Sequence, residues 1–403
     1  MSENEMSVSK WRQDFSVFQQ RPDWAYFDSA ASCQVPEQVL EGMLNYQREQ
    51  HANVHRGSYQ QSQHATALYE SWRVRVAGFI GTSADQLIFT RGTTESMNLL
   101  ADSLARPRVG KGDNIVISLA EHHANWLPWE RVCREAGAEL RVVPLNEDGT
   151  IADVEPFLDE RTRVLSVTHA SNVLGVINPV ADICALARSR GILSVVDAAQ
   201  SAAHINLDVT QIDCDALAFS AHKIYGPTGI GALFIKSDVL QDMPPWQVGG
   251  GMVDMVYEND VSYLQGVSRF EAGTPNLIGA AGFAAAVEYL QQARNAGSTA
   301  YLNQLFNDLL AVVERYDWLQ MLPHSNGRIP VLSVHSDKVH PRDLAMLLDE
   351  SGIAARAGRH CAQPLINALT EEGCLRFSLG LYSQRDDILR LAAGLDNAAD
   401  LLL

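Results

Sequence analysis

Lys223 stands in a stretch whose residue types could support covalent chemistry. It follows Ser220 and His222 at the end of a short apolar run over 216–219 and precedes a turn rich in glycine and proline. The run predicts a buried strand, and residues 232–235 predict a second one. An amine held between two strands suits a lysine that binds an aldehyde as a Schiff base. A surface lysine in a hairpin loop is the simpler alternative.

A carboxylate at the end of the preceding strand favours the chemical interpretation. Residues 192–196 predict that strand, and Asp197 and Gln200 follow it directly. The lysine of a pyridoxal phosphate site carries the aldehyde, and an aspartate keeps the pyridine nitrogen protonated so that the ring withdraws electrons. The sequence therefore predicts a site for this cofactor around Lys223 and Asp197.

Thr93 and Thr94 lie between a predicted strand at 87–90 and a predicted helix. Free backbone N–H groups and hydroxyls at a helix start bind anions, and an ordinary helix cap is the alternative. Taken together with Lys223 and Ser220, the two threonines predict a cradle for the cofactor phosphate.

Two polar loops follow other predicted strands. His122 and His123 come after the strand at 114–118, and Asn172 comes after the strand at 164–168. Open α/β sheets bind ligands beyond the carboxyl ends of their strands, so one imidazole could lie flat on the pyridine ring. Asn172 could hold the ring oxygen or the substrate. The alternatives are solvated histidines and a simple turn.

Cys361 lies in a loop that is flanked by glycine and proline. Arg359 and His360 precede it, and neighbouring cations favour a thiolate. A buried, inert cysteine is the alternative. Arg376, on the next predicted strand, could hold a substrate carboxylate with two hydrogen bonds; a surface salt bridge is its alternative.

Composition limits the classes of partner. The 403 residues carry 31 Lys+Arg against 48 Asp+Glu, a net charge of −17, which argues against nucleic acid or an anionic membrane. The six cysteines form no CxxC pair, so we expect no metal site. The polar N-terminus lacks the apolar segment of a secretory signal, and no apolar run is long enough for a membrane span. We expect a cytoplasmic protein.

The predicted elements indicate an α/β fold. From residue 86 to 235 short apolar strands alternate with helices, a pattern typical of a mostly parallel sheet covered on both faces. After about residue 273 the pattern becomes α+β. We predict a large cofactor-binding domain over 25–292 and a small domain formed by 1–24 together with 293–403.

These motifs resemble the fold-type I, class V aminotransferase family, and within it the cysteine desulfurases of the second group. The resemblance runs from about residue 26 to the C-terminus. The compact loop around Cys361 looks like the second group, because the first group carries its cysteine in a longer, serine-rich loop. The matching segments are NVHR at 53–56, RGTTE at 91–95, EHHAN at 121–125, VDAAQ at 196–200, SAHK at 220–223, EAGTP at 271–275 and RHCAQP at 359–364.

The resemblance implies how the chain would bind pyridoxal 5'-phosphate. Lys223 would hold the cofactor, Asp197 would pair with its ring nitrogen, Gln200 would bond its phenolic oxygen, and His123 would stack on the ring. Thr274 would arrive from the other subunit of a homodimer. The full set of implied cofactor contacts is Thr93, Thr94, His123, Asn172, Asp197, Gln200, Ser220, His222, Lys223 and Thr274.

The resemblance also implies a reaction. Lys223, Cys361 and His123 would be catalytic, converting L-cysteine to L-alanine and leaving a persulfide on Cys361. A sulfur acceptor protein of the SufE/CsdE kind would take the sulfur, for iron–sulfur cluster assembly or another pathway. The implied substrate contacts are Arg376, Asn172, Arg356, His55 and Arg56, the last two reaching the partner's site.

Two alternatives stay open at this point. Selenocysteine lyase and cysteine sulfinate desulfinase activities keep the fold and cofactor, and their better leaving groups could depart without Cys361. A non-enzymatic binding subunit on the same fold is the second alternative. The joint presence of Lys223, Asp197, His123 and Arg376 argues against it.

Overall fold

The computed structural model describes residues 9–403, so residues 1–8 of the predicted small domain lie outside the described residues. In chain order the strands are β1 (Ala25–Tyr26), β2 (Leu87–Thr90), β3 (Asn114–Ser118), β4 (Glu139–Val143), β5 (Thr162–Thr168), β6 (Leu193–Asp197), β7 (Ala216–Ser220), β8 (Gly231–Ile235), β9 (Val253–Val256), β10 (Val261–Tyr263), β11 (Gln320–Met321), β12 (Val331–His335), β13 (Ile353–Ala354), β14 (Arg356–Gly358) and β15 (Cys374–Ser378). In chain order the α-helices are α1 (Ser16–Gln20), α2 (Glu37–Asn45), α3 (Gln60–Phe79), α4 (Thr93–Leu99), α5 (Leu127–Ala136), α6 (Val180–Ser189), α7 (Ser201–His204), α8 (Val209–Ile212), α9 (Ser237–Gln241), α10 (Leu277–Asn295), α11 (Ser298–Val313), α12 (Pro341–Glu350), α13 (Gln363–Leu369) and α14 (Arg385–Leu402).

The central sheet has seven strands in the order β2-β8-β7-β6-β5-β3-β4. All its strands run parallel except β8, which pairs antiparallel with both β7 and β2. The predicted mostly parallel α/β sheet is therefore confirmed.

Both faces of this sheet are buried, because side chains of alternating residues enter two different hydrophobic clusters. On β7, Leu217 and Phe219 belong to one cluster, and Ala216 and Ala218 belong to the other. Helices covering each face explain why such strands read as continuous apolar runs in the sequence.

The parallel strands bring distant parts of the sequence to one edge of the sheet. The carboxyl ends of β2, β3, β5, β6 and β7 meet there, and the residues at these ends are Thr90, Ser118, Thr168, Asp197 and Ser220. Close approach at this edge depends on glycine. A Cβ on Gly231 would stand 2.6 Å from the Cα of Gly92, and Gly92 itself has φ +146°.

A second, four-stranded antiparallel sheet has the order β11-β12-β15-β14. Helix α12 packs against its strands β14 and β15, α14 packs against α12, and an isolated parallel bridge joins Asp28 to Ser378 on β15. Near the N-terminus, Arg12 pairs with Asp387 at the start of α14 through a 3.0 Å bond. These contacts tie the segment before residue 30 to the C-terminal part of the chain.

Helix α10 continues through residue 292, the predicted end of the large domain. The division of the chain into two domains stays a prediction. None of the helices over residues 9–403 combines the length and the apolar composition that a membrane crossing needs.

Candidate active site

A cleft of about 250 Å³ lies between the carboxyl edge of the central sheet and the four-stranded sheet. It brings together most of the residues that the sequence singled out. Its lining consists of Ala30, Ala31, Thr93, Thr94, His122, Ala124, Asn172, Asp197, Ala199, Ser220, His222, Lys223, Arg356, His360 and Arg376.

Lys223 ends a short 3-10 turn, Ala221–Lys223, that directly follows β7. The lysine is half-buried, and burial lowers the pKa of its amine, although the carboxylate of Asp197 acts in the opposite direction. A lowered pKa increases the neutral fraction of the amine, which is the form that attacks a carbonyl carbon and accepts protons.

Asp197 ends β6 and is almost fully buried, with 4% of its surface exposed. Its Oδ1 accepts a 2.9 Å hydrogen bond from the backbone N–H of Ala199. Burial raises the pKa of the carboxyl, and the nearby Lys223 partly offsets this. Gln200 is also buried, and its Nε2 donates to the carbonyl oxygen of Ala30 at 2.7 Å.

Thr93 and Ser220 are 127 residues apart in the chain but touch in the fold. The Thr93 N–H donates to Ser220 Oγ at 2.9 Å, and the two hydroxyl oxygens also lie 2.9 Å apart. Thr94 and His222 complete this end of the cleft, which opens into a wider one of about 500 Å³. Burial lowers the pKa of His222 to about 4, with a smaller effect from Lys223.

The two adjacent histidines have different surroundings. His122 lines the cleft, and burial lowers the pKa of its imidazole to about 3, with Lys223 as the next contribution. His123 is directed away, and its Nε2 accepts a 3.1 Å hydrogen bond from the N–H of Gln363. Of the two histidines only His122 lines the cleft, so within the described residues the structure does not bring His123, which we expected on the cofactor ring, into the lining around Lys223.

Arg376 is 1% exposed, so the alternative of a surface salt bridge is wrong. Its Nη2 donates to Asp28 Oδ1 at 2.7 Å, and its Nη1 donates to the carbonyl oxygen of Asn172 at 2.9 Å. Its buried Nε has no hydrogen-bond partner among the described residues. Burial lowers the pKa of the guanidinium, and Asp28 opposes this change.

Cys361 is exposed, whereas the other five cysteines are buried. It follows His360, which lines the cleft, and its Sγ lies 4.0 Å from Nη2 of Arg356. The carbonyl oxygen of His360 accepts a 2.8 Å bond from Asn172 Nδ2. The Cys361 thiol therefore stands on a loop that is anchored to the cleft.

Thr274, His55 and Arg56 are exposed and do not line this cleft. Thr274 borders a separate surface cleft, and His55 Nε2 lies 3.0 Å from a carboxylate oxygen of Glu70. Within one chain the structure does not bring these three residues to Lys223.

The sequence did not single out Asp28 or the cleft-lining role of His360. Asp28 follows β1 but pairs with a residue 348 positions later, and no local pattern signals that pairing. Asp28 directly precedes the small residues at 29–31, and this position was the signal that the sequence offered.

Over residues 9–403, no three His, Cys, Asp or Glu side chains gather in a way that could hold a metal ion.

Comparisons with known proteins match nearly the whole chain. The aminotransferase class-V family matches residues 25–391. A cysteine desulfurase from Escherichia coli O7:K1 is 43% identical over 403 residues, which is 98% of this chain and 99% of that protein. One from Shigella sonnei is 42% identical with the same coverage of each chain.

Solved structures agree with the sequence relatives. The cysteine desulfurase CsdA (S-sulfonic acid) from Escherichia coli superposes with a TM-score of 0.91 at 37% identity, covering 98% of each chain. The apo cysteine desulfurase from Thermococcus onnurineus has a TM-score of 0.93 at 32% identity, covering 98% of this chain and 99% of that one. The chain therefore belongs to the class V aminotransferases and, within that family of pyridoxal-phosphate-dependent proteins, to the cysteine desulfurases.

Proposed function

We propose that this protein converts L-cysteine to L-alanine and keeps the sulfur as a persulfide on Cys361. One observation carries the proposal. The single exposed cysteine of the chain stands beside a cleft that contains a half-buried lysine, Lys223, and a buried carboxylate, Asp197. A nucleophilic thiol next to a site for aldehyde chemistry is what desulfuration requires.

The residues present fit pyridoxal phosphate. The buried Asp197 is the counter-charge that a protonated pyridine nitrogen needs, and such a carboxylate would otherwise be costly to bury. The hydroxyls of Thr93 and Ser220 lie 2.9 Å apart at the start of α4, where they would form hydrogen bonds to a phosphate. The proposed contacts are Lys223 to the aldehyde carbon, Asp197 to the ring nitrogen, His122 to the ring face, Gln200 and Asn172 to the ring oxygen, and Thr93, Thr94, Ser220 and His222 to the phosphate.

When bound, pyridoxal phosphate withdraws electrons from the substrate and so acidifies its Cα hydrogen. Lys223 takes that proton at Nζ, because the lowered pKa of the amine makes the neutral base available. Burial of His122 keeps its imidazole neutral, so this side chain adds no positive charge beside the cofactor ring.

Arg376 holds the substrate carboxylate. Its guanidinium is fixed by Asp28 and by the Asn172 carbonyl oxygen, and its Nε remains a free donor among the described residues. Arg356, which lines the same cleft, supplies a second positive charge near Cys361. Two cations at this end favour the bound carboxylate.

The Cys361 thiolate attacks Sγ of the substrate. The new S–S bond forms as the Cβ–Sγ bond breaks, and the electron pair of the broken bond stays with Cβ. Cβ takes up a proton and becomes the methyl group of alanine. The net reaction is cysteine plus the Cys361 thiol giving alanine plus a persulfide on Cys361, with no outside oxidant.

Two partners belong to the proposal. Thr274, His55 and Arg56 act in the neighbouring site of a homodimer, which agrees with their exposure and their distance from Lys223 in one chain. A sulfur acceptor of the SufE/CsdE kind removes the persulfide sulfur, which agrees with the exposure of Cys361.

The test measures alanine release from cysteine, selenocysteine and cysteine sulfinate by the holoenzyme. We expect Cys361→Ala to abolish only the cysteine reaction, because the other two leaving groups depart without a thiolate. Cys184→Ala is the matched control, since Cys184 is buried on α6, does not line the cleft and has no proposed role.

Survival of all three reactions in Cys361→Ala would contradict the role of Cys361 and favour a general lyase of C–S and C–Se bonds. A colourless protein that binds no added pyridoxal phosphate would instead favour a non-catalytic binding subunit.

A further inference from the structure

His123 contacts the Cys361 loop at two points. Its backbone N–H donates to the carbonyl oxygen of Cys361 at 2.7 Å. Its ring Nε2 accepts from the N–H of Gln363 at 3.1 Å, which places the ring proton of the neutral imidazole on Nδ1. The same histidine thus bonds the residue that carries the thiol and a residue two positions later.

The loop needs such support because its backbone is strained. His360 has φ +48° and Cys361 has φ +55°, a left-handed conformation that costs a residue other than glycine about 1–2 kcal/mol. Without external contacts this segment would relax towards commoner conformations, and the Cys361 thiol would move with it.

Gln363 also needs a partner for its N–H. It is the first residue of α13, and the first N–H groups of a helix have no acceptor within the helix. The N-cap residue, Ala362, has no side-chain acceptor to offer, and none is observed. The imidazole of His123 fills this role from another part of the fold, 240 residues away in sequence.

We infer that His123 is a positioning residue that holds the Cys361 thiol for attack on the substrate sulfur. The inference rests on the proposed function, because it assigns His123 to the sulfur-transfer step. His122, its neighbour, lines the cleft that contains Lys223, so the two adjacent histidines serve different steps. Misplacing a reacting atom by 1 Å can cost about 100-fold in rate.

Two reactions of the holoenzyme separate this role from a contact with the cofactor. Alanine release from L-cysteine requires Cys361. Exchange of the Cα hydrogen of L-alanine for deuterium, followed by NMR in D2O, requires Lys223 but not Cys361. We expect His123→Ala to lower kcat for alanine release about 10- to 100-fold with a small change in KM, and to leave the exchange rate unchanged.

A conservative pair of variants tests the hydrogen bond itself. His123→Gln places an amide oxygen near the position of Nε2 and should recover most of the activity. Asparagine in His123→Asn is also polar, but its side chain is too short for the oxygen to reach Gln363. This variant should therefore behave like His123→Ala. His122→Ala is the matched control and should slow both reactions. The backbone bond to Cys361 survives in all these variants, and thermal unfolding verifies that each one folds.

Equal loss of both reactions in the His123 variants would assign His123 to the cofactor and overturn the inference. Full activity in His123→Asn, or no advantage of His123→Gln over it, would overturn it as well. Failure of the proposed function gives a different result, since Cys361→Ala would then retain alanine release whatever the His123 variants do.

Discussion

The side-chain amide of Asn172 donates a 2.8 Å hydrogen bond to the carbonyl oxygen of His360, while the backbone carbonyl of Asn172 accepts one from Arg376. Asn172 is 5% exposed and lies in the loop after β5. It therefore connects the edge of the central sheet to both the Cys361 loop and the guanidinium that we assign to the substrate carboxylate.

Removing this amide should loosen the Cys361 loop. We expect Asn172→Ala to lower kcat for alanine release from cysteine by about 10-fold, the rate equivalent of one buried hydrogen bond. Asn178→Ala is the matched control, because Asn178 is equally buried and bonds the Thr168 carbonyl at 3.0 Å but does not bond the loop. Equal losses of kcat in the two variants would contradict the anchoring role.

Lys223 should be indispensable for proton transfer at Cα. We expect Lys223→Ala to reduce alanine release by at least about 10²- to 10⁴-fold, the contribution of one positioned acid–base group. Steady-state kinetics with cysteine and with cysteine sulfinate measure this, and both reactions should fall. Lys111→Ala, at an exposed lysine, should leave both unchanged. A Lys223→Ala variant that keeps either reaction would refute the assignment.

The Arg73–Glu271 ion pair should stabilise the segment that carries Thr274. Their side chains are 3% and 10% exposed, and the two guanidinium–carboxylate bonds measure 2.5 and 2.8 Å. Glu271→Ala removes both bonds and leaves the buried Arg73 with the half-exposed Glu70 as its remaining carboxylate partner, so it should lower the free energy of unfolding by about 3 kcal/mol.

Urea denaturation measures this change. The exposed pair Arg75–Glu288, at 2.7 Å, supplies the control, and Glu288→Ala should cost at most about 1 kcal/mol. Similar losses in Glu271→Ala and Glu288→Ala would show that burial of the first pair has no energetic consequence.

Buried neutral histidines should make the protein acid-sensitive. Burial lowers the pKa of His169 to about 4 from its ordinary value of 6.5. Between these pH values the unfolded chain binds a proton at this site that the folded chain does not. The free energy of unfolding therefore falls as the pH falls through this window, by up to about 1.4 kcal/mol per pH unit.

Urea unfolding between pH 4 and pH 7 tests the sign and the size of this slope. His169→Gln removes the titrating group, so its unfolding free energy should depend less steeply on pH than that of the native chain. If the unfolding free energies of the two proteins depend equally on pH, His169 does not contribute to the loss of stability in acid.

The sequence alone was sufficient for the elements whose side chains are buried on both faces. Strands β2 and β3 begin and end at the predicted residues, because a short apolar run bounded by polar residues has few alternatives. Other elements were missed. The hairpin β9–β10 has mostly exposed residues, and β14 and α13 flank a polar loop, so hydrophobic periodicity gives no signal for them.

The sequence also singled out Lys223, Asp197 and Cys361, because their residue types indicate the chemistry wherever the fold places them. Only the tertiary structure decided which of His122 and His123 lines the cleft. A one-residue step around a 3-10 turn rotates the side chain to a different side, and packing determines which side faces the cleft. The pairing of Arg376 with Asp28 is likewise a tertiary result, since it joins β15 to the segment after β1, 348 residues earlier. Local patterns report burial along one element, whereas the partner of a buried charge depends on which elements meet.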